Sequence, residues 1–348
     1  DAMWGVFETG WREPWGADAD HLKLVADIPT FVAAGYTFFT IDPGDHVDDA
    51  AETDRLDTLY AKVKALDWRT LKSSLEDTRA RFTTSFALDG VTLEFDEHML
   101  LKAAVKYGGA VAHTVRMHNA LRDHADGHPF ELEMSVDETG TTTSLHEHFY
   151  IASELIRLDV AFVSLAPRFV GRFEKGVDYI GDLDELDQNI AGHAAIMRHF
   201  GNRYKLSLHT GSDKFGVYPI AMRHTNGRVH LKTAGTSYLE ALHLIASVEP
   251  AFFREILDFA RNRYETDRKS YHVSAQLEHV ATASDLTDAQ LPQLFSEFDA
   301  RQVLHVTFGS VLDVFGDRLA AALKHNRDEY YAYIKRHFDR HLEAFKTL

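Results

Sequence analysis

Short apolar runs rich in β-branched and aromatic residues recur along the chain, and each ends in glycine, proline or polar residues. Runs of this length, bounded by turn residues, predict buried strands. Six such runs are YTFFTIDPG (36–44), FELEMSVDE (130–138), VAFVSLAPR (160–168), YKLSLHTGS (204–212), RVHLKTAGT (228–236) and RQVLHVTFGS (301–310).

Between these runs lie stretches in which apolar residues recur at helical spacing, namely 146–158, 183–200, 237–248 and 249–264. Alternating strands and helices favour a mostly parallel sheet with covering helices. The six strands and the opening segment come near the eight strands of a closed barrel. We therefore predict an α/β fold of the (β/α)8 TIM-type barrel.

Two segments depart from this alternation. Residues 50–128 carry helical patterns with one short strand pattern at VTLEF (91–95), and we interpret them as a mainly helical insertion. Residues 327–348 are predicted to form a long amphipathic C-terminal helix. The whole chain, 1–348, is expected to be a single α/β-barrel domain.

Composition narrows the class of protein. The formal net charge of -16 makes a general affinity for nucleic acid or an anionic membrane surface unexpected. No apolar run approaches the roughly 18 residues of a membrane span, and the N-terminus lacks a signal-peptide pattern. We expect a soluble, cytoplasmic protein. The count of zero Cys means that any metal must be bound by His, Asp or Glu, and 21 His are present.

Histidines and carboxylates collect at the predicted strand ends, where catalytic residues of such barrels lie. A single His in a strand is more often structural than a metal ligand. Four of them, however, lie near strand ends beside acidic residues: His21, His209, His230 and His305. Together they predict a divalent metal site, and imidazole and carboxylate ligands suit zinc, manganese, nickel or cobalt equally.

His21, in the stretch WGADADHLK (15–23), has two candidate roles. It is either a solvated loop residue or a metal ligand beside a proton-transfer partner. The carboxylates Asp18 and Asp20 flank it closely in sequence.

Taken together, several motifs resemble the tagaturonate/fructuronate epimerase family (the UxaE family) over about residues 1–320. The motifs are WGADADHLK, TFFTIDPGDHVDD, FELEMSVDET, SLAPRFVGRFEKGVDYIGDL, LSLHTGSDKFGVYPI, HLKTAGTSYLEAL and LHVTFGS. Members of that family begin further upstream, with an earlier barrel strand. Either this chain is a fragment that lacks its N-terminal strand, or its barrel closes differently.

The same motifs are more distantly similar to class II, metal-dependent aldolases. By that likeness Asp20 is a general base, His21 and His209 are metal ligands, and Glu133 lies on the glutamate-bearing strand. The loop after strand 160–168 has no His where the aldolases have a ligand. We choose His230 as the third ligand, ahead of His305 and Glu133.

The resemblance implies metal-dependent interconversion of D-tagaturonate and D-fructuronate, which differ at the hydroxyl-bearing carbon β to the ketone. Inversion would proceed by retro-aldol and aldol steps or by proton transfer between two acids, with Asp20 and Glu133 as the catalytic pair and Glu138 as a weaker candidate. A nicotinamide route is disfavoured because the sequence has no dinucleotide fingerprint.

A hexuronate substrate needs cationic and hydroxyl partners for its carboxylate. The candidates are Arg168, Lys214, Lys232 and Ser212, with Arg172 as a further possibility. Two alternative functions stay open: a class II aldolase acting on a sugar acid or ketose, and a non-catalytic sugar-acid binding protein. The sequence does not indicate an oligomeric state.

Overall fold

A computed structural model describes residues 2–233 and 236–346 of the chain. The chain divides into two compact units. The first unit comprises Asp1–Arg168 and Ala195–Leu206, and the second comprises Phe169–Ala194 and Ser207–Leu348.

Eight strands occur within the described ranges: β1 (Asp18–Leu22), β2 (Phe38–Ile41), β3 (Ser85–Ala87), β4 (Thr92–Glu94), β5 (Glu131–Ser135), β6 (Ser164–Ala166), β7 (Lys205–Leu208) and β8 (Val229–Leu231). Six of these form a sheet in the order β1-β2-β5-β6-β7-β8, and β3 pairs with β4 in an antiparallel hairpin. The pairs β1–β2, β2–β5, β5–β6 and β6–β7 are parallel.

The prediction of a closed eight-stranded barrel is wrong. Over residues 2–233 and 236–346 the main sheet has six strands, and β1 and β8 are its two edge strands, so the sheet is open. The strand predicted at 301–310 is helical, because Phe298–Val306 forms one helix and a second begins at Phe308. The buried residues Ala300, Val303 and Leu304 recur at helical spacing, whereas a half-buried strand would bury every second residue.

Thirteen helices occur in the same described ranges: α1 (Ala2–Glu8), α2 (Ile28–Ala33), α3 (Leu56–Lys64), α4 (Leu75–Phe82), α5 (Glu97–Ala125), α6 (Leu145–Arg157), α7 (Leu183–His199), α8 (Tyr218–Thr225), α9 (Ser237–Val248), α10 (Pro250–Asp267), α11 (Phe298–Val306), α12 (Phe308–His325) and α13 (Arg327–Leu342). None of them is both long enough and apolar enough to cross a membrane. A short 3-10 turn, Glu343–Phe345, follows α13, and the last two residues of the predicted 327–348 helix lie outside the described ranges.

Helix α5 is the longest element of the first unit, and its first turn explains where it begins. The Asp96 side chain accepts a hydrogen bond from the Met99 amide, at 2.7 Å. Such a cap satisfies one of the amides that a helix start leaves without a partner. The helix is buried over most of its length, so it forms much of the core of this unit.

A buried lysine on α5 holds together three segments of the first unit. The Lys106 ammonium group is fully buried and donates to Glu52 at 2.7 Å, to Glu147 at 3.3 Å and to the Thr142 carbonyl at 3.4 Å. Glu147 also accepts from the Ser144 amide at the start of α6. Burial raises the pKa of Glu147 although the charge of Lys106 opposes that shift. Charges removed from water in this way are stable only when they are paired.

Replacing Lys106 by Met is expected to destabilise the protein by about 3–5 kcal/mol, because it leaves Glu147 buried without a cation. Urea unfolding monitored by circular dichroism measures the loss. Lys102→Met is the matched control, since Lys102 lies one turn away, pairs with the same Glu52 and is partly exposed; it should cost under about 1 kcal/mol. Equal losses in the two variants would contradict the role given to burial.

Candidate functional site

A row of buried polar side chains crosses the sheet of the first unit. Thr40, Glu133 and Ser164 lie directly opposite one another on β2, β5 and β6, and each is at most 1% exposed. The Thr40 hydroxyl donates to the Asp18 carboxylate on β1, at 3.1 Å. Parallel sheets are normally apolar on both faces. A buried polar row is therefore an informative feature, and it marks the face of the sheet on which chemistry can occur.

His21 lies in β1 with a backbone conformation that is uncommon for a residue other than glycine. Its φ is 52°, in the left-handed region, and the pairing with β2 slips between Ala19 and Leu22. Such irregularities redirect a side chain and concentrate at functional sites. Here the ring nitrogen Nδ1 of His21 lies 3.2 Å from Oδ2 of Asp42.

Asp42 directly follows β2 and is a buried carboxylate with several partners. Its Oδ1 accepts from the Gly44 amide at 2.9 Å, and the Lys23 ammonium lies 3.3 Å from Oδ2. Burial alone would raise the pKa of Asp42, but the hydrogen bonds from His21 and Gly44 and the charge of Lys23 outweigh it and lower the pKa to about 2. Asp42 is therefore ionised at neutral pH.

His21, Asp42 and Glu138 form a group that could hold a metal ion. Each offers one ligand atom, and these atoms lie within 4.8 Å of one another. Within the described part of the chain this is the one group of three or more His, Asp or Glu residues that meets the condition. One imidazole with two carboxylates is a donor set that zinc, manganese, nickel and cobalt accept. The residues present therefore fit a divalent cation.

Sequence reasoning identified His21 but missed Asp42 as a ligand, and it considered Glu138 only as a proton donor. Both carboxylates follow the carboxyl ends of parallel strands, Asp42 after β2 and Glu138 after β5. This position just after a strand could have identified both residues as candidate ligands from the sequence, because side chains at these strand ends lie along one edge of the sheet.

The two predicted catalytic acids have different surroundings. Oδ1 of Asp20 lies 3.6 Å from Nε2 of His21, and the Asp20 side chain is 55% exposed. Glu133 lies within β5 and is completely buried. Asp20 is thus open to a small molecule from outside, whereas Glu133 belongs to the buried polar row.

Arg168 lies just after β6, at the end of the first of the two segments of the first unit, and its backbone amide and carbonyl both bond to Thr143. The Arg168 amide donates to the Thr143 hydroxyl at 3.0 Å, and the Thr143 amide donates to the Arg168 carbonyl at 2.9 Å. The neighbouring candidate Arg172, in the second unit, instead pairs with Glu174 at 3.3 Å.

In the second unit, the segment after β7 carries three predicted site residues, His209, Ser212 and Lys214, which are all buried. Two other residues of this segment, Thr210 and Asp213, have left-handed φ values of 47° and 60°. The Lys214 ammonium donates to the carbonyls of Glu174, Val177 and Ser212. Burial lowers the pKa of Lys214 to about 8.

His230 and Lys232 lie on and just after β8. Nδ1 of His230 is 3.4 Å from the Ser207 hydroxyl, and the Lys232 backbone bonds to Leu208 and Gly211. Residues 234–235, which belong to the predicted strand run 228–236, lie outside the described ranges. The prediction that His209 and His230 share a metal with His21 stays a prediction.

His305 lies on α11 and not at a strand end, so the reason for considering it as a ligand was wrong. Burial lowers the pKa of His305 to about 4. A buried neutral imidazole in a helix is consistent with a structural role.

The sheet and the site together indicate the class of protein. It is an enzyme built on a parallel α/β sheet, with a candidate centre for a divalent cation at the ends of β1, β2 and β5. A family model described as "UxaE: tagaturonate epimerase" matches residues 1–345. The chain belongs to this family, as the sequence motifs predicted.

Individual relatives agree with that assignment. The tagaturonate/fructuronate epimerase of Thermotoga maritima is 42% identical over 348 residues, which cover 99% of this chain and 70% of the relative. The native crystal structure of fructuronate-tagaturonate epimerase UxaE from Cohnella laeviribosi is similar with a TM-score of 0.92 at 35% identity, covering 99% of this chain and 70% of that one. A complex of the same enzyme with two glycerol molecules has a TM-score of 0.91, at 35% identity over 99% of this chain and 71% of that one. The protein is therefore an enzyme of the isomerase class, an epimerase.

The depressed pKa of Asp42 predicts a specific pH dependence of stability. Because the folded-state pKa of about 2 lies below the ordinary 3.8, ionised Asp42 stabilises the fold above about pH 4, and this contribution disappears as the pH falls through 2. The shift corresponds to about 2 kcal/mol. In urea titrations of chelator-treated protein, the gap in unfolding free energy between wild type and Asp42→Asn should shrink from pH 6 to pH 3. A gap that stays constant over this range would rule the shift out.

Proposed function

We propose that this protein is a divalent-metal-dependent hexuronate epimerase that interconverts D-tagaturonate and D-fructuronate. The observation that carries the proposal is the His21–Asp42–Glu138 group in a chain of this family. The names of the relatives support the substrate pair, since each is called a tagaturonate/fructuronate or fructuronate-tagaturonate epimerase.

In this proposal His21, Asp42 and Glu138 hold the cation, and His209 and His230 remain predicted ligands. When bound, a divalent cation supplies Lewis-acid stabilisation of negative charge beside a ketone. Lys23 lies 3.3 Å from Asp42, and the charges of Asp42, Asp45 and Glu138 raise its pKa. These carboxylates therefore already attract positive charge, and because Lys23 is half-exposed its ammonium group can move aside.

We assign proton transfer to Asp20 and Glu133. Asp20 is exposed and adjoins His21, so it can act as general base on the hydroxyl of the inverting carbon. Glu133, in the buried polar row, returns a proton when the new configuration forms. These roles come from the likeness to metal-dependent aldolases.

Two routes use the same residues. In the retro-aldol route, removal of the hydroxyl proton breaks the bond between the inverting carbon and the carbon next to the ketone. The bonding electrons pass into an enediolate, the released aldehyde turns over, and the bond re-forms on the opposite face. In the two-acid route, one carboxylate removes the proton on the inverting carbon and the other acid delivers a proton from the opposite side. The two routes differ in whether that carbon–hydrogen bond breaks.

Recognition of the substrate carboxylate is assigned to Arg168 first, with Lys232 and Ser212 as further candidates. A guanidinium group can bind a carboxylate through two parallel hydrogen bonds. Lys214 ranks behind them because its three N–H groups already donate to backbone carbonyls.

Removing a ligand should remove the metal and the activity together. His21→Ala and Asp42→Ala are expected to weaken zinc or manganese binding by at least about 10-fold and to reduce fructuronate turnover at least as much. Metal content and chelator competition measure the first effect. His128→Ala is the control, because His128 is exposed and outside the group. Full metal content in both ligand variants would exclude the assignment, and parallel His209→Ala and His230→Ala variants test the remaining predicted ligands.

Turnover in deuterium oxide distinguishes the two routes. The retro-aldol route keeps the original hydrogen on the inverting carbon, and the two-acid route replaces it by deuterium. We expect retention, since that carbon lies β to the ketone and its hydrogen is not activated by enolisation. Nuclear magnetic resonance of the recovered epimer reads the outcome, and deuterium at that carbon would exclude retro-aldol inversion.

The same reaction mixtures test the alternative functions. Release of free three-carbon products would indicate an aldolase in place of an epimerase. Substrate binding without formation of the epimer, in the presence of added metal, would indicate a sugar-acid binding protein.

A further inference from the structure

Glu138 differs from the other two members of the candidate metal group in how it is held. His21 lies within β1, and Asp42 directly follows β2 and bonds to the Gly44 amide. Glu138 is exposed and lies three residues beyond the end of β5, in the segment 136–144 that leads to α6. The position of its carboxylate therefore depends on whatever fixes this segment.

Asp49 lies outside this segment and bonds to two residues at its centre, Gly140 and Thr141. The Thr141 hydroxyl also lies 3.4 Å from Oε1 of Glu52. Oδ2 of Asp49 accepts from the Gly140 amide at 2.7 Å, and Oδ1 accepts from the Thr141 hydroxyl at 3.4 Å. The approach is so close that a Cβ atom at position 140 would lie 2.9 Å from Oδ2 of Asp49. A side chain at position 140 would displace the Asp49 carboxylate, so the glycine preserves this contact.

The segment also has internal hydrogen bonds. Through them, a contact that fixes Gly140 also restricts the position of Glu138. The buried Thr139 hydroxyl lies 3.0 Å from the carbonyl oxygens of both Val136 and Thr141, and these two acceptors share its single proton. Thr139 stands between Glu138 and Gly140 in the chain, and these bonds leave little freedom to the residues between Val136 and Thr141.

Asp49 itself is firmly anchored. It begins a 3-10 turn, Asp49–Glu52, that is capped by the Asp48 side chain. The Asp48 amide donates to the Lys106 carbonyl on α5 at 3.0 Å, and the Lys106 ammonium bonds both Glu52 and the Thr142 carbonyl. The turn and the segment are thus tied to the same point of α5.

We propose that Asp49 is a positioning residue for the candidate metal site, which holds Glu138 in place through Gly140 and Thr141 without binding the cation itself. The inference rests on the proposed function, because it needs the site to bind a metal. Groups that orient ligands in this way change metal affinity when they are removed, typically by 10- to 100-fold.

The test compares two substitutions of Asp49 in the full chain, with zinc as the probe and a chromophoric chelator as competitor. Asp49→Ala removes both acceptors and should weaken zinc binding about 10- to 100-fold. Asp49→Asn keeps an oxygen that can accept from the Gly140 amide, so its affinity should stay within about 3-fold of wild type. Asp57→Ala, at an exposed position on α3, is the control for loss of one negative charge.

The possible results separate this inference from the proposed function. Unchanged zinc affinity in Asp49→Ala, with wild type binding zinc, overturns the positioning role and leaves the metal site standing. Equal weakening in Asp49→Ala and Asp49→Asn also overturns it, because charge rather than hydrogen bonding would then be responsible. Absence of zinc binding by wild type overturns both. Thermal unfolding of each variant checks that Asp49→Ala is folded, and faster amide exchange at Gly140 in that variant is expected.

Discussion

Pairing of buried charge is the constraint on which the arrangement of the first unit depends. Lys106 is fully buried, so Glu52, Glu147 and the Thr142 carbonyl must converge on it. That convergence places the Asp49–Glu52 turn against the segment that carries Glu138. Asp42 obeys the same rule at the sheet, where His21, Lys23 and the Gly44 amide surround a carboxylate that would otherwise be too costly to bury.

The chemistry that this arrangement permits follows from where the strain and the polar groups lie. His21 takes a left-handed backbone conformation near the end of β1, which costs free energy of order 1–3 kcal/mol that the surroundings must offset. The contact with Asp42 is a compensation of that kind. Under the proposed function this strain has a role, because a redirected imidazole beside two carboxylates is a suitable set of ligands for a divalent cation.

Much of the fold was predictable from local patterns. The one strand that was predicted wrongly, at 301–310, failed for a physical reason. Five of the six predicted strands contain a strand of the main sheet, each shorter than its apolar run. The sixth, 301–310, is helical, because its apolar residues are spaced three or four positions apart. The run is short and contains Val and Phe, which favour strands, so this helical spacing is hard to recognise. Without that strand the prediction of a closed barrel loses its support. The same error placed His305 at a strand end.

The sequence by itself determined the family, the alternation of strands and helices, the supply of His and carboxylate ligands without any Cys, and the singling out of His21. These properties depend on residues close together in the chain or on motifs that can be compared directly. The tertiary structure alone decided that Asp42 and Glu138 approach His21, that the donors of Lys214 are already used, and that Asp49 reaches Gly140. Those contacts join residues that are far apart in the chain, and their distances depend on strand register, backbone strain and burial, which local patterns do not encode.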